Sequence, residues 1–375
     1  MKEKIATFIK KEKVMTVSLA AAVISVIFVH PDVEYFGYID YRTLSILWCL
    51  MCIMAGLRDI GVFNKAARLL LWKTESMRGI FFILVFACFL SSMFITNDVS
   101  LITFVPFSIE VLMLASLEKY LIPVIVMQTI AANLGSMLTP MGNPQNLYLY
   151  SAGNMNFSDF ILLMLPYWLI SAAAIAIVTF LLSGKRKIDV YFGKVEPLTG
   201  RSRRLTLTYV LLFAVSILCV VRILPFPIML AIVFVVIAVE DGKTLKKTDY
   251  ALILTFVFLF IFIGNIKRIP EISTFIDSAV SGHELLCGIL VSQVISNVPA
   301  AVLLSGFTEN ISLLAIAVNV GGLGTIIASM ASLISFKFYS NTKIANGGRF
   351  MTFFTLLNIL FIAVLCAASA VLQTV

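Results

Sequence analysis

Apolar segments about 20 residues long recur along almost the whole chain, the length a helix needs to cross the hydrocarbon of a bilayer. Whole spans read at 14–30, 41–57, 160–183, 205–222, 226–240, 249–266 and 350–372. Two further stretches, 79–153 and 283–340, are apolar but repeatedly interrupted by polar residues. With 60% hydrophobic and only 13% charged residues, the chain cannot cover its apolar surface as a soluble globule must. Backbone groups in lipid have to be satisfied within a segment, so the expected fold class is an all-α polytopic membrane protein.

The net charge of +8 is a topology signal, not a nucleic-acid footprint. The basic residues sort by loop: Lys2 to Lys13 precede the first span, Arg58 to Arg78 follow the second, and Lys185 to Arg204 fill the central loop. Only Arg42, Arg222, Lys267 and Arg268 fall on the opposite side. The positive-inside rule therefore places the N-terminus in the cytoplasm and the C-terminus outside. No small-residue cleavage site precedes Pro31, so the first apolar segment reads as a span, not a signal peptide. All six cysteines lie in apolar segments and act as small hydrophobes; the Cys49-x-x-Cys52 pair has no redox or zinc context. Two histidines are too few for a histidine metal centre. Neither a nucleophile beside a base nor a nucleotide-binding signature is present, so the chain reads as no enzyme and as needing no cofactor.

The polar interruptions form an internal repeat. Thr96-Asn97-Asp98-Val99 is matched by Ser296-Asn297-Val298-Pro299. The downstream segment Asn133-Leu134-Gly135-Ser136 with Thr139 is matched by Asn319-Val320-Gly321-Gly322 with Thr325. The threading gives the two copies opposite orientation, so the halves are expected to be inverted repeats, each with a re-entrant helical hairpin and a broken transmembrane helix. Residues 1–40 hold an N-terminal helix; 41–183 the first repeat, with hairpin 79–116 and broken helix 120–153; 184–204 a basic cytoplasmic linker; 205–248 two further helices; and 249–375 the second repeat, with hairpin 283–307 and broken helix 311–340. The arms of the hairpins read as too short or too interrupted for full crossings. Complete spans are the alternative reading.

Non-helical backbone at membrane depth persists only where it is buried or lines a cavity. In Thr139-Pro140-Met141-Gly142-Asn143-Pro144-Gln145-Asn146, two prolines remove helical donors, Gly142 permits positive φ, and Asn143 is a good cap before a first-turn proline. Carbonyls freed at the end of the first half-helix can hold a cation, and amides opening the second can face an anion or polar solute. Ser296 or Asn297 before Pro299 repeats this logic, and Gly321, Gly322 and Gly324 break the partner helix. Asp98 is the sharpest residue: an ionisable group within the membrane costs on the order of 3 kcal/mol and marks ion or proton handling. It can ligate Na⁺ or Li⁺, carry a proton, or cap the helix that follows.

At these residues the chain resembles the ion transporter superfamily of arsenite permeases, citrate transporters and sodium-coupled dicarboxylate symporters. The resemblance covers essentially the full chain. It implies outer scaffold helices at 1–40 and 205–248, a mobile unit of hairpins and broken helices moving in elevator fashion, a homodimer, and a prokaryotic cytoplasmic membrane location. In the dicarboxylate branch both tips read Ser-Asn-Thr; there tips and breaks bind Na⁺, and the threonine and asparagine positions touch substrate. Carried over, the resemblance implies ion coupling at Asn97, Asp98, Asn133, Gly142, Asn297, Asn319 and Thr325, with Na⁺ at Asn97, Asp98 and Asn297. It implies solute contact at Thr96, Thr139, Asn143, Pro144, Asn146, Ser296, Val298, Pro299 and Gly324. Asp98 and Val298 replace the two threonines, and an Asn-Asp tip is similar to the arsenite permease branch. The reading is an ion-coupled transporter of a small anion or oxyanion, driven by Na⁺ or H⁺. Arsenite or antimonite efflux is the alternative, and an ion channel the alternative from another class.

Overall fold

A computed structural model describes residues 12–71, 74, 76–185, 187, 198 and 200–372. Much of the expected linker, and the basic residues Lys2 to Lys11, Lys73, Arg186 and Lys194, lie outside them. Among the described residues there are 17 α-helices and one isolated bridge, Ser76 to Lys187. In chain order they are α1 (Lys13–Phe28), α2 (Tyr41–Ile60), α3 (Val62–Leu71), α4 (Met77–Ile95), α5 (Asn97–Leu114), α6 (Leu121–Ser136), α7 (Pro144–Ala152), α8 (Phe157–Leu182) and α9 (Gly200–Val220). They continue with α10 (Phe226–Asp241), α11 (Tyr250–Lys267), α12 (Pro270–Val280), α13 (Glu284–Ile295), α14 (Asn297–Ser305), α15 (Ile311–Gly321), α16 (Met330–Ser340) and α17 (Gly347–Leu372). Side-chain caps fix several starts: Asp40 accepts from the Thr43 amide, Ser76 from Gly79, Asp249 from Leu252 and Asn310 from Leu313.

Among the described residues, seven helices are long and apolar enough to cross a membrane. With so few charges to offset them, the chain is an integral membrane protein. The lengths refine the sequence reading in two places. The spans expected at 14–30 and 226–240 are 16-residue helices, α1 and α10, each about 24 Å long and shorter than the hydrocarbon core. The arms at the first tip, α4 and α5, run 19 and 18 residues and each is long enough to cross. Those at the second tip, α13 and α14, run only 12 and 9. Short arms therefore mark the second tip and not the first. Polar residues inside α4 and α5, such as Ser91, Ser92 and Ser108, made the first pair look interrupted while they remain helical.

The core is built twice on one plan. Helix α4 packs along α6, and α13 packs along α15. The second half of each broken helix then crosses over: α7 packs on α14, and α16 packs on α5. Close approach needs small residues. A Cβ on Gly135 of α6 would sit 2.0 Å from the Phe89 carbonyl oxygen of α4, and one on Gly321 of α15 would sit 2.9 Å from the Gly288 carbonyl of α13. Backbone cannot yield as a flexible side chain does. Gly135→Ala is therefore expected to cost about 1–3 kcal/mol or more of stability, read as a lowered melting midpoint in detergent; an unchanged midpoint would show that α4 and α6 can separate freely.

At one end of the bundle Arg268, after α11, meets Asp32 at 2.6 Å and Glu34 at 3.4 Å in the turn after α1. The Arg268 guanidinium holds the Asp32 carboxyl below its ordinary pKa of 3.8. A lowered native pKa means the tie is fully present above that ordinary value and is lost as pH falls through the native one. Asp32→Asn should thus remove part of the loss of melting midpoint between pH 5 and pH 3; identical acid profiles for variant and parent would show that the pair adds nothing.

Candidate functional site

The two tips adopt one unusual backbone. Thr96, the sole residue between α4 and α5, has φ 68° and ψ 153°; Ser296, between α13 and α14, has φ 75° and ψ 153°. Side-chain-bearing residues rarely enter this region, which costs on the order of 1–3 kcal/mol and tends to be kept at functional sites. Each tip turns the chain so that Asn97 or Asn297 opens the next helix, both buried. The Thr96 hydroxyl caps the Val99 amide at 3.5 Å, and the Asn97 side-chain oxygen accepts from the Asp98 amide at 2.9 Å.

The breaks face the tips. Helix α6 ends at Ser136, a 3-10 turn covers Pro140–Gly142, and α7 restarts at Pro144 with the Asn143 side chain accepting from the Asn146 amide at 2.8 Å. A Cβ on Gly142 would lie 2.0 Å from the Ser136 carbonyl oxygen, so only glycine lets the turn fold back so closely. Helix α15 ends at Gly321 and α16 restarts at Met330 after Ser329.

Hydrogen bonds join each break to the other half. The Asn143 amide nitrogen donates to the Asn319 side-chain oxygen at 3.1 Å, and the Ser329 hydroxyl donates to the Asn133 side-chain oxygen at 3.0 Å. Asn133 also accepts from Asn97 at 3.1 Å and donates to the Gly322 carbonyl at 3.3 Å. Asn319 donates to Asn146 at 2.6 Å, while Asn146 holds the freed carbonyls of Ser136, Met137 and Thr139 at 3.1–3.3 Å. At the second tip the Asn297 backbone N–H donates to the Ala328 carbonyl at 2.9 Å, and the Ser296 hydroxyl donates to the same oxygen at 3.3 Å. The site is thus a buried net of asparagine, serine and broken-helix carbonyls in which, among the described residues, no lysine or arginine takes part.

Asp98 stands at its edge. One carboxylate oxygen is buried without a hydrogen-bond partner among the described residues. A buried oxygen left unsatisfied is costly unless a cation or proton meets it. The donors here are hard oxygens, which suit Na⁺, and among the described residues no group of three His, Cys, Asp or Glu is placed to hold another metal.

Other expected residues are differently engaged. Thr325 is exposed; its amide and hydroxyl bond to Gln293 at 2.8 and 3.1 Å. Gly324, at φ 103°, lies against the same glutamine and donates to Asn358 at 3.2 Å. Thr139 spends its hydroxyl on the Met93 carbonyl. Val298, Pro299 and Ser296 line a cavity of about 240 Å³ that also touches Met330, the first residue of α1, Lys13, and the residue that caps α11, Asp249. Ser329 and Gln293 are not among the residues the sequence singles out. The register that pairs Asn133 with Asn319 also pairs Asn143 with Ser329, and this was the available signal.

The chain matches the citrate transporter family over residues 5–312. It is 33% identical over 370 residues to an uncharacterised transporter of Methanocaldococcus jannaschii, covering 97% of this chain and 98% of the other. It is 29% identical over 309 residues to the inner membrane protein YbiR of Escherichia coli, covering 82% of each. Over 151 residues, 40% of this chain and 30% of its relative, it is 30% identical to a silicon efflux transporter of Oryza sativa subsp. japonica.

Proposed function

Since this chain belongs to the citrate transporter family, we propose that it is a secondary active transporter that moves a small anion or oxyanion across the membrane, coupled to Na⁺ or H⁺. The observation that carries the reading is the cross-bonding of the two breaks, Asn143 to Asn319 and Ser329 to Asn133. It gathers four helix ends into one buried polar site, as inverted-repeat transporters do. A channel calls for a continuous polar lining, whereas here the polar groups close on one another.

In this reading the coupling ion binds among Asn97, Asp98, Asn297 and the carbonyls freed at the breaks, with the unsatisfied Asp98 oxygen as its charged ligand. The solute meets Ser296, Val298 and Pro299 through the cavity beside Lys13 and Asp249. Those ends of α1 and α11 fall on the cytoplasmic side by the positive-inside rule, which supports an inward-open arrangement. The unit that moves comprises α4 to α7 and α13 to α16, against scaffold helices that include α1, α2, α9 and α10. The protein is proposed to work as a homodimer in a prokaryotic cytoplasmic membrane, with the N-terminus inside and the C-terminus outside.

One observation favours a second reading. Among the described residues the buried net offers amides, hydroxyls and one carboxylate but no basic side chain, which suits an undissociated oxyacid such as arsenous acid better than its anion, and the rice relative is a silicon efflux transporter. Proteoliposomes given H⁺ and Na⁺ gradients separately, with succinate, citrate, sulfate and arsenite as solutes, decide between them. Accumulation of an anion supports the first reading and extrusion of arsenite the second. Passive flux insensitive to both gradients overturns coupled transport.

A further inference from the structure

At the end of α7 away from the breaks, the turn Arg222–Pro225 between α9 and α10, the start of α2 and Ser151 and Asn154 line an open cavity of about 350 Å³. Helix α9 starts with the basic run Arg201 to Arg204, so this turn lies at the opposite end of the bundle from the basic loops, the outer side by the positive-inside rule. Two guanidinium groups line it, Arg42 and Arg222. They are half of the basic residues that the charge pattern leaves on that side.

Both are held, and neither is neutralised. Arg42 donates from one nitrogen to the carbonyls of Cys219 and Val220 at 3.2 and 3.3 Å. Arg222 donates to the Asn154 side chain and lies 5.5 Å over the Tyr150 ring. No carboxylate lies within 4.0 Å of either among the described residues. The neighbouring acids are engaged elsewhere: Asp40 accepts from Thr43, and Asp159 from Asn156. Arg222 also holds a positive φ of 66°, a conformation a side-chain-bearing residue adopts at a cost. The 16-residue helix α10 begins at the same cavity with no side-chain cap from Pro225, so its first-turn amides and positive dipole end add to the charge.

We infer that the Arg42–Arg222 cavity is an oxyanion-binding site on the outer face, taking a carboxylate, sulfate or phosphate, the last either free or as a lipid headgroup. Guanidinium nitrogens not spent on Cys219, Val220 and Asn154 supply the forked donors that planar and tetrahedral oxyanions accept. The site is separate from the buried net and its occupancy is measurable without transport.

The test is titration of the purified protein, in nanodiscs of neutral phosphatidylcholine, with inorganic phosphate and with sulfate, followed by calorimetry and melting midpoint. Saturable binding should weaken at least about tenfold in Arg222→Gln and in Arg42→Gln, the scale of one charge-assisted hydrogen bond, and stay unchanged in Arg268→Gln, whose arginine already has carboxylate partners. Should Arg42→Gln fail to fold through loss of its carbonyl contacts, Arg42→Lys and Arg222→Gln carry the test. Competition by anionic phosphatidylglycerol in the disc assigns the site to a headgroup, and its absence assigns it to the free anion; both uphold the site. No saturable binding, or equal binding by the parent and Arg222→Gln, overturns it.

Discussion

Replacing Asn143 by alanine or by serine is expected to stop solute transport, but only alanine should also free the first turn of α7. The two variants separate the residue's two tasks. Its side-chain oxygen caps the Asn146 amide, and its nitrogen reaches across the repeat to Asn319. Serine keeps a cap and is too short for the crossing. Both variants strand the Asn319 oxygen, which costs about 1–3 kcal/mol, and alanine loses about 1 kcal/mol more with the cap. Uptake into proteoliposomes should fall by about a hundredfold or more in both, the scale on which ångström misplacement acts within a preorganised site. Melting midpoints measured on the same preparations give the difference due to the cap. Serine at parental transport rates would reduce the Asn143–Asn319 bond to a structural clasp and leave the site without its crossing.

Asp98→Asn has the second large effect. If the solute moves with one proton through this carboxyl, a gradient of one pH unit sustains about tenfold accumulation, equivalent to 1.4 kcal/mol. A Na⁺ gradient of tenfold does the same. The amide keeps the size and the position at the start of α5 but carries neither charge nor exchangeable acid proton, so the variant should equilibrate the solute and accumulate none. Accumulation ratios in parent and variant under each gradient are the measurement. Unchanged coupling to both ions would leave Asp98 as a first-turn acid at the start of α5 and no more.

The asparagines and prolines at the breaks were legible because their chemistry is local. Asn143 before Pro144 specifies a helix start whatever surrounds it, and Asp98 is conspicuous in any apolar run. What the sequence withheld is direction. Thr325 and Gly324 sit in the second break as the repeat predicts, yet turn to Gln293 and Asn358, a choice made by the packing of α13 and α17 beside them. Ser329 was hidden for a related reason: serine is common in membrane helices, and only the crossing to Asn133 distinguishes this one. Arm lengths were legible for the second hairpin and misjudged for the first, because serines that bond to their own helix, such as Ser92 to the Phe89 carbonyl, look like interruptions in a string of letters and are none in three dimensions.

The crossing at the breaks also bears on how the two halves can change with time. A substitution at Asn133 or Asn143 is felt in the opposite half, at Ser329 or Asn319, as well as in its own, at Asn97 or Asn146. Among the described residues the tips make no side-chain hydrogen bond to the other half, and Asp98 and Val298, at matching places after the tip asparagines, differ in charge. The one carboxylate of the two tips therefore stands in the first half, and the breaks that bond across to each other bring its oxygen and the neutral second tip to the same set of helix ends.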